Sequence, residues 1–417
     1  MNTETLDQPI VADVAVSAPA VVIESATPAV AAVAEGPNPF IALGLDGALV
    51  RAVSDLGYTQ PTEVQAKVIP LAMGSGKADE ASIDLMVSSQ TGSGKTAAFL
   101  LPVLNTLIAQ KAIEAAAEQA EFERQRAQAA ASGEAAPKRA KRKNPMQSRN
   151  FKAAVPGALV LCPTRELAQQ VAQDAIELVK HCKNLRVANV VGGMPYQLQI
   201  AKLQNADLVV ATPGRLLDLQ RSLQIKLDKV QFLVVDEADR MLDLGFADDL
   251  EEVHQMTAQR KQTMMFSATF APRIQQLAMR VMHDGGANVQ KITIATPQQG
   301  HDNIQQKLYW ADHAQHKRKL LDHWLRDTTI NQAIVFASTQ VECDGLAQDL
   351  AEAGFSAAAL HGALSQGLRN RRLRALREGQ IQILVATDVA ARGIDVPTIT
   401  HVFNFGLPMK AEDYTHR

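Results

Sequence analysis

Cysteine is scarce. Only Cys162, Cys182 and Cys343 occur in 417 residues, and no two of them have metal-ligand spacing. Neither a zinc module nor a disulfide framework is expected, and buried or free thiols in a reducing compartment are. A surplus of one charge is lacking too: 42 Lys and Arg against 44 Asp and Glu leave a formal net charge of −2. The whole chain is therefore no polycation, and any nucleic-acid binding must come from local basic groups. The N-terminal stretch, rich in Ala, Val and Pro, holds no Lys or Arg before Arg51. It lacks the positive start of a secretory segment, and Glu4, Asp7, Asp13 and Glu24 interrupt its apolar runs. A disordered tail over 1–36 is the expectation. No run approaches the roughly 20 apolar residues of a membrane helix, so a cytoplasmic protein without a membrane partner is expected.

What the chain does have is an apolar share of 47%, enough for sizeable cores. Short apolar runs read as buried strands at Ala158–Cys162, Val187–Val191, Leu208–Ala211, Phe232–Val235 and Thr263–Phe266. A second set follows at Gln306–Trp310, Ala333–Ala337, Ala357–Leu360, Ile381–Ala386 and His401–Asn404. Amphipathic stretches separate the runs, which predicts parallel sheets covered by helices on both faces. The fold class is α/β, with two tandem parallel-sheet domains over 37–295 and 304–417. The polar, turn-rich 296–303 suits a linker. Residues 109–152 start as an Ala- and Glu-rich helical pattern and become a basic tract of Lys138, Arg139, Lys141, Arg142 and Lys143. This reads as a solvated insertion; the alternative is an arm that contacts phosphates without reading sequence.

Ser89-Gln90-Thr91-Gly92-Ser93-Gly94-Lys95-Thr96 follows the apolar Leu85-Met86-Val87 and precedes a helical pattern. That is the strand–loop–helix setting of a phosphate-binding loop. Glycines let backbone N–H groups curl around a phosphate, and the helix N-terminus adds its positive dipole end. Lys95 can reach the β- and γ-phosphates of a nucleotide, and the Thr96 hydroxyl can hold Mg²⁺. Asp236-Glu237-Ala238-Asp239 ends the run Phe232–Val235, where open α/β sheets bind ligands. Asp236 is the natural Mg²⁺ partner, partly through water, and Glu237 the natural base that orients an attacking water.

This acidic tetrapeptide resembles the signature of the DEAD-box RNA helicases, of bacterial type, and further motifs carry the resemblance. Gly57-Tyr58-Thr59-Gln60-Pro61-Thr62-Glu63-Val64-Gln65 resembles the Q motif, with Val64 where Ile is usual. Pro163-Thr164-Arg165-Glu166-Leu167-Ala168 resembles motif Ia, Gly192-Gly193 the glycine doublet and Thr212-Pro213-Gly214-Arg215 motif Ib. Ser267-Ala268-Thr269 resembles motif III. In the second half, Val335-Phe336-Ala337-Ser338-Thr339 resembles motif IV, with His361-Gly362, Gln366 and Arg369 like the element after it. Thr387-Asp388-Val389-Ala390-Ala391-Arg392-Gly393-Ile394-Asp395 resembles motif V. Tyr414-Thr415-His416-Arg417 looks like the opening of motif VI, so the second domain is expected to be incomplete at its C-terminus.

The resemblance implies two RecA-like domains, the cofactors ATP and Mg²⁺, and an enzyme that hydrolyses ATP when RNA is bound. It implies that Gln65 reads the adenine edge, with Gln60 beside it, and that Phe40, which lies 17 residues before Gly57, packs near the base. Thr91, Gly92, Ser93, Gly94, Lys95 and Thr96 would hold the phosphates, with Gly393 and Asp395 approaching from the second domain. Asp236, Glu237, Lys95, Ser267 and Thr269 would serve catalysis. Pro163, Thr164, Arg165, Gly193, Thr212, Pro213, Gly214, Arg215, Thr339, Gly362, Thr387 and Asp388 would hold the RNA sugar–phosphate backbone, without base readout. Two readings of the task follow: an ATP-dependent helicase that opens duplexes locally, or an ATP-gated RNA clamp that remodels complexes without unwinding. With the later arginines of motif VI outside these residues, little turnover is expected of this chain by itself. Ribosome-assembly or RNA-decay proteins are the partners such cores suggest.

Overall fold

The computed structural model describes residues 38–74, 83–89, 92–132, 152–268, 270–294, 304–391, 396, 398–408, 414 and 417. The tail over 1–36, the basic tract at 138–143, the linker 296–303 and residues Thr91, Thr269, Gly393 and Asp395 lie outside them.

The first sheet consists of β1 Leu85–Ser88, β2 Ala158–Leu161, β3 Val187–Val190, β4 Leu208–Ala211, β5 Phe232–Val235, β6 Gln262–Ser267 and β7 Gln290–Thr293. Its helices are α1 Gly47–Asp55, α2 Glu63–Met73, α3 Lys95–Ser132, α4 Arg165–Leu178, α5 Tyr196–Leu203, α6 Pro213–Arg221, α7 Ala238–Asp243, α8 Ala247–Met256 and α9 Pro272–Val281. The second sheet holds β8 Gln332–Ala337, β9 Ala357–Leu360, β10 Ile383–Thr387 and β11 Ile399–Phe403. Its helices are α10 Ala314–Leu325, α11 Gln340–Glu352, α12 Gln366–Arg377 and α13 Asp388–Ala391.

The strand order is β3-β4-β2-β5-β6-β1-β7 in the first sheet and β11-β8-β10-β9 in the second. All pairings are parallel. The central strands are buried on both faces, which is why they read as continuous apolar runs. Alternate strand residues go to opposite faces. Val160 and Val234 pack under α1 to α4, whereas Leu161 and Val235 pack against α6, α8 and α9. In the second sheet Val335 faces α10 and α11, and Phe336 faces α12. The rings of Phe99 and Phe266 meet at 5.2 Å between centroids beneath β1, with neither side chain exposed. Burying each ring contributes about 1.5–3 kcal/mol, and their tilted contact about 0.5–1.5 more. That packing fixes the start of α3, and hence the phosphate loop, against β6.

Three departures from the sequence expectations have physical causes. Gln306–Trp310 forms no strand: Leu308 and Trp310 are 81% and 85% exposed, and Tyr309 stacks on Trp324 at 4.9 Å. Its apolar end, Leu308-Tyr309-Trp310, reads as a strand, but among the described residues no strand pairs with it, and pairing is what makes a strand. Conversely β7 closes the first sheet with only Ile292 buried, too little apolar pattern to be seen. The third concerns residue 109, which reads as the start of an insertion with a helical pattern: that pattern continues α3, which runs from Lys95 to Ser132. One stretch of it, Lys95–Ala129, is long and apolar enough on average to cross a membrane. Its apolar residues, Phe99 to Leu107, are core residues of the first domain, while Glu114, Glu118 and Glu121 stand in solvent. All three cysteines are free, and burial pushes the Cys182 and Cys343 thiols up to about 11.

Candidate nucleotide and RNA site

In an open parallel sheet, ligands bind beyond the carboxyl ends of the strands. Here β1, β6 and β5 are neighbours, so the phosphate loop, Ser267 and Asp236-Glu237 emerge side by side. Motif III therefore sits between the other two. Its backbone ties them together: Ser89 N donates to Ser267 O at 3.1 Å, Ser88 Oγ to Ala268 O at 3.0 Å, and Ala268 N to Asp239 Oδ2 at 3.3 Å. Ser267 Oγ is buried without a hydrogen-bond partner among the described residues.

Lys95 is buried and donates from Nζ to Ser89 O at 3.1 Å. Ser93 Oγ donates to Ser89 Oγ at 3.1 Å, which closes the loop on itself. Gly94 has φ +89, and a Cβ there would meet Gln65 Nε2 at 2.6 Å, so the turn admits glycine alone. Asp236 and Glu237 lie in a dry setting. Burial raises the Asp236 carboxyl, with Lys95 opposing. Burial, then the neighbouring Asp236, raises Glu237 to about 7. Glu237 also has φ 49, a left-handed conformation that costs an ordinary residue about 1–2 kcal/mol. Backbone strain and a shifted carboxyl at one residue mark a working group.

Among the described residues no cluster of three or more His, Cys, Asp or Glu could hold a metal. Thr96 and Asp236 nevertheless fit Mg²⁺, which takes one or two protein oxygens and completes its shell with phosphates and water. A phosphate fits as well, since Lys95 has only a carbonyl to bind and Gly94 leaves the cradle open.

The Q motif differs from the expectation. Gln65 is 4% exposed and its amide is committed: Oε1 accepts from Thr62 N at 3.0 Å and Nε2 donates to Gly94 O at 3.2 Å. Thr62 and Gln65 form the capping box of α2. The sequence carried that signal, a Thr followed three residues later by Gln before an apolar run. Gln65 here links α2 to the phosphate loop, and reading an adenine would require it to release one of these bonds. Phe40 is 0% exposed within the core of the first domain, so its ring presents no open face to a base. Gln60 and Gly92 are exposed.

The RNA-type motifs follow β2, β4 and β3, at the other half of the same edge. Thr164 Oγ1 caps α4 by accepting from Leu167 N at 3.3 Å, and Thr339 Oγ1 caps α11 by accepting from Glu342 N at 3.1 Å. Each hydroxyl keeps its own hydrogen for a phosphate oxygen. Thr212 precedes α6 without a side-chain cap bond, Pro213 is buried at the first helical position, and Gly214 is exposed. Gly193 is exposed at φ +77, and a Cβ there would lie 2.7 Å from Arg165 Nη1. In the second sheet Gly362 is exposed and Thr387 is buried at the end of β10. Asp388 is engaged by Arg417, whose Nε and Nη2 donate at 2.5 and 2.9 Å while the guanidinium lies 4.7 Å over the Phe336 ring.

A contact between the two domains was not legible in the sequence. Arg369 Nη2 pairs with Glu166 Oε1 at 2.9 Å, both side chains at most 10% exposed. Gln366 Nε2 donates to the same oxygen at 3.0 Å, and Arg165 Nη1 donates to Gln366 Oε1 at 3.2 Å. The partners are about 200 residues apart, so no local pattern foretells them.

A model of the DEAD/DEAH box helicase family matches residues 62–277, and a model of the helicase conserved C-terminal domain matches 315–417. The chain is 38% identical over 380 residues to the ATP-dependent RNA helicase SrmB of Escherichia coli, covering 91% of this chain and 74% of SrmB. It is 40% identical over 391 residues to DEAD-box ATP-dependent RNA helicase 52A of rice, Oryza sativa, of which it spans 59%. Its fold is similar to that of Dbp5 of S. cerevisiae bound to RNA and ADP BeF3, with a TM-score of 0.71 and 28% identity, covering 91% of this chain and 85% of that one.

Proposed function

The chain belongs to the DEAD-box family of ATP-dependent RNA helicases, and from that premise we propose that it binds ATP with Mg²⁺ on its first domain, holds single-stranded RNA backbone across both domains, and couples ATP hydrolysis to local opening or remodelling of RNA duplexes. The observation that carries this reading is Glu237: a strained, half-buried carboxylate raised to about 7 at the end of β5, beside a phosphate loop.

Lys95 leaves the Ser89 carbonyl to bind phosphate oxygens. The Thr96 hydroxyl and the Asp236 carboxylate would hold Mg²⁺, which would supply positive charge to the phosphates. Glu237, once deprotonated, accepts a hydrogen bond from the attacking water and sets its line of approach. Ser267 and Asp239 transmit the state of this site along the backbone bonds already described. RNA lies on the hydroxyls of Thr164, Thr212 and Thr339, the guanidinium of Arg215, and the backbone at Gly193 and Gly362. Such contacts give affinity without base readout.

The test is ATP hydrolysis by the full-length protein with single-stranded RNA, with DNA and with neither, beside Glu237→Gln. Stimulation by RNA alone, lost in the variant, supports the reading. Equal turnover in all three arms, or stimulation by DNA, would overturn the RNA assignments.

A further inference from the structure

Arg215 is unusual among the residues read as RNA contacts. Its side chain is 19% exposed, yet Nε and Nη1 are buried without a hydrogen-bond partner among the described residues. Asp218 forms a loose ion pair with Nε at 3.6 Å, too long for a hydrogen bond, and is itself 59% exposed, so it leaves the donors of Arg215 available. Two buried donors with no acceptor are costly unless a ligand supplies one. Something must therefore hold the guanidinium in place while it waits.

That support is Tyr196, the first residue of α5, directly after the glycine doublet. The Arg215 guanidinium lies 5.7 Å from the centroid of the Tyr196 ring. The ring is half-buried and packs against the apolar core below it. The loop that presents it is fixed as well. Gln199 is 2% exposed, accepts from Val191 N at 3.0 Å, and donates to the carbonyls of Val191 and Met194 at 3.0 and 3.1 Å. Tyr196 therefore has a rigid base on one side and a cation on the other.

We propose that Tyr196 is a positioning residue for RNA: its ring holds the Arg215 guanidinium so that donors of Arg215 remain open to one backbone phosphate. The inference rests on the reading of Arg215 as an RNA contact. A ring face attracts a guanidinium through its quadrupole, without using any of the N–H donors. A carboxylate in the same place would occupy those donors and repel the phosphate. The phenol oxygen makes no hydrogen bond that the role requires, so phenylalanine should serve equally.

The experiment measures binding of a fluorescent single-stranded oligouridylate to the protein with a non-hydrolysable ATP analogue, by anisotropy at several salt concentrations. The variants are Tyr196→Phe, Tyr196→Leu, Arg215→Ala and the Leu/Ala double. Leucine keeps the apolar packing of α5 and removes the quadrupole. Tyr196→Phe should bind as the wild type does. Tyr196→Leu should weaken RNA binding about three- to ten-fold and lower the salt slope by roughly one phosphate. The double variant should be no weaker than Arg215→Ala, and binding of the analogue without RNA should not change. Losses that multiply in the double variant, or a Tyr196→Leu affinity equal to wild type, would overturn the proposal. If Arg215→Ala itself binds normally, the reading of Arg215 as an RNA contact fails first, and the role of Tyr196 fails with it.

Discussion

The carboxyl edges of the two sheets handle polar groups in opposite ways. At the first, the buried Asp236 lies beside the half-buried Glu237, with Lys95 and Arg240 opposing the rise of the Glu237 carboxyl, and among the described residues Ser267 Oγ and two donors of Arg215 have no hydrogen-bond partner. At the second, Asp388 is engaged by Arg417, and His361 is bonded to Asp344 at 2.9 Å. The first edge crowds two carboxylates together, and the second pairs Asp388 and one nitrogen of His361 with opposite charges while His361 Nδ1 stays without a partner among the described residues. The difference assigns roles. A site that does chemistry must hold groups out of their comfortable state, whereas a surface that closes over it must keep its shape. The link between them is the pair Glu166–Arg369, one partner on each domain.

The sharpest way to break the contrast is to neutralise the first edge. Glu237→Gln should lower ATP turnover by about 100-fold or more while ATP binding persists, read by hydrolysis and nucleotide titration. In the wild type, turnover should rise as pH passes through about 7, because Glu237 accepts a hydrogen bond only when deprotonated. Stability should move the other way. A carboxyl raised in the folded state favours folding fully below its unfolded value, and that contribution is lost as pH rises through about 7. Glu237→Gln should therefore melt a few degrees higher than wild type at pH 8, about 1–2 kcal/mol, and no higher near pH 4.

A smaller effect is expected at the link. Arg369→Ala leaves Glu166 buried without its cation, a change that costs several kcal/mol unless the domains part and let water in. Parting is the easier outcome, so RNA-stimulated turnover should fall about tenfold while turnover without RNA changes little, since about 1.4 kcal/mol of closure energy is a factor of ten. Exchanging the two charges, Glu166→Arg with Arg369→Glu, should recover part of the loss. If Arg369→Ala left the RNA stimulation intact, the contact would be passive. The mildest change is Gly193→Ala. The new Cβ meets the Arg165 guanidinium and sits at positive φ, which together cost about 1 kcal/mol. RNA affinity should drop a few-fold with ATP affinity unchanged.

The central parallel strands were legible because both faces of each are buried, which writes them as apolar runs between turns. β7 was hidden because an edge strand needs only Ile292 inside, and 306–310 misled because an apolar run without a neighbour is not a strand. The carboxylates at the end of β5 and the lysine at the start of α3 were readable from order along the chain. Their electrostatic state was not, since it depends on what β6 and α3 exclude from the cleft. Gln65 shows the reverse: its capping role was written in the four residues from Thr62, and the link to Gly94 O became visible only when α2 and the loop were brought together. Tyr196 and Arg215 lie on different helices and carry no shared pattern at all.

The helix that begins at Lys95 has a mechanical consequence. Its 38 residues make a rod of about 57 Å. Lys111, paired with Asp207 at 2.8 Å, and Gln110, bonded in both directions to Gln231, fasten it where it leaves the body of the domain. Beyond that fulcrum roughly 30 Å of helix stands in solvent. A tilt of about 5° at the fulcrum would sweep the tip through roughly 3 Å. On the proposed reading the first turn meets phosphate and the last lies far along the same helix, past the one backbone hydrogen bond that Pro102 cannot make, so a probe near Ser132 would gauge rotations of the nucleotide cradle from outside it.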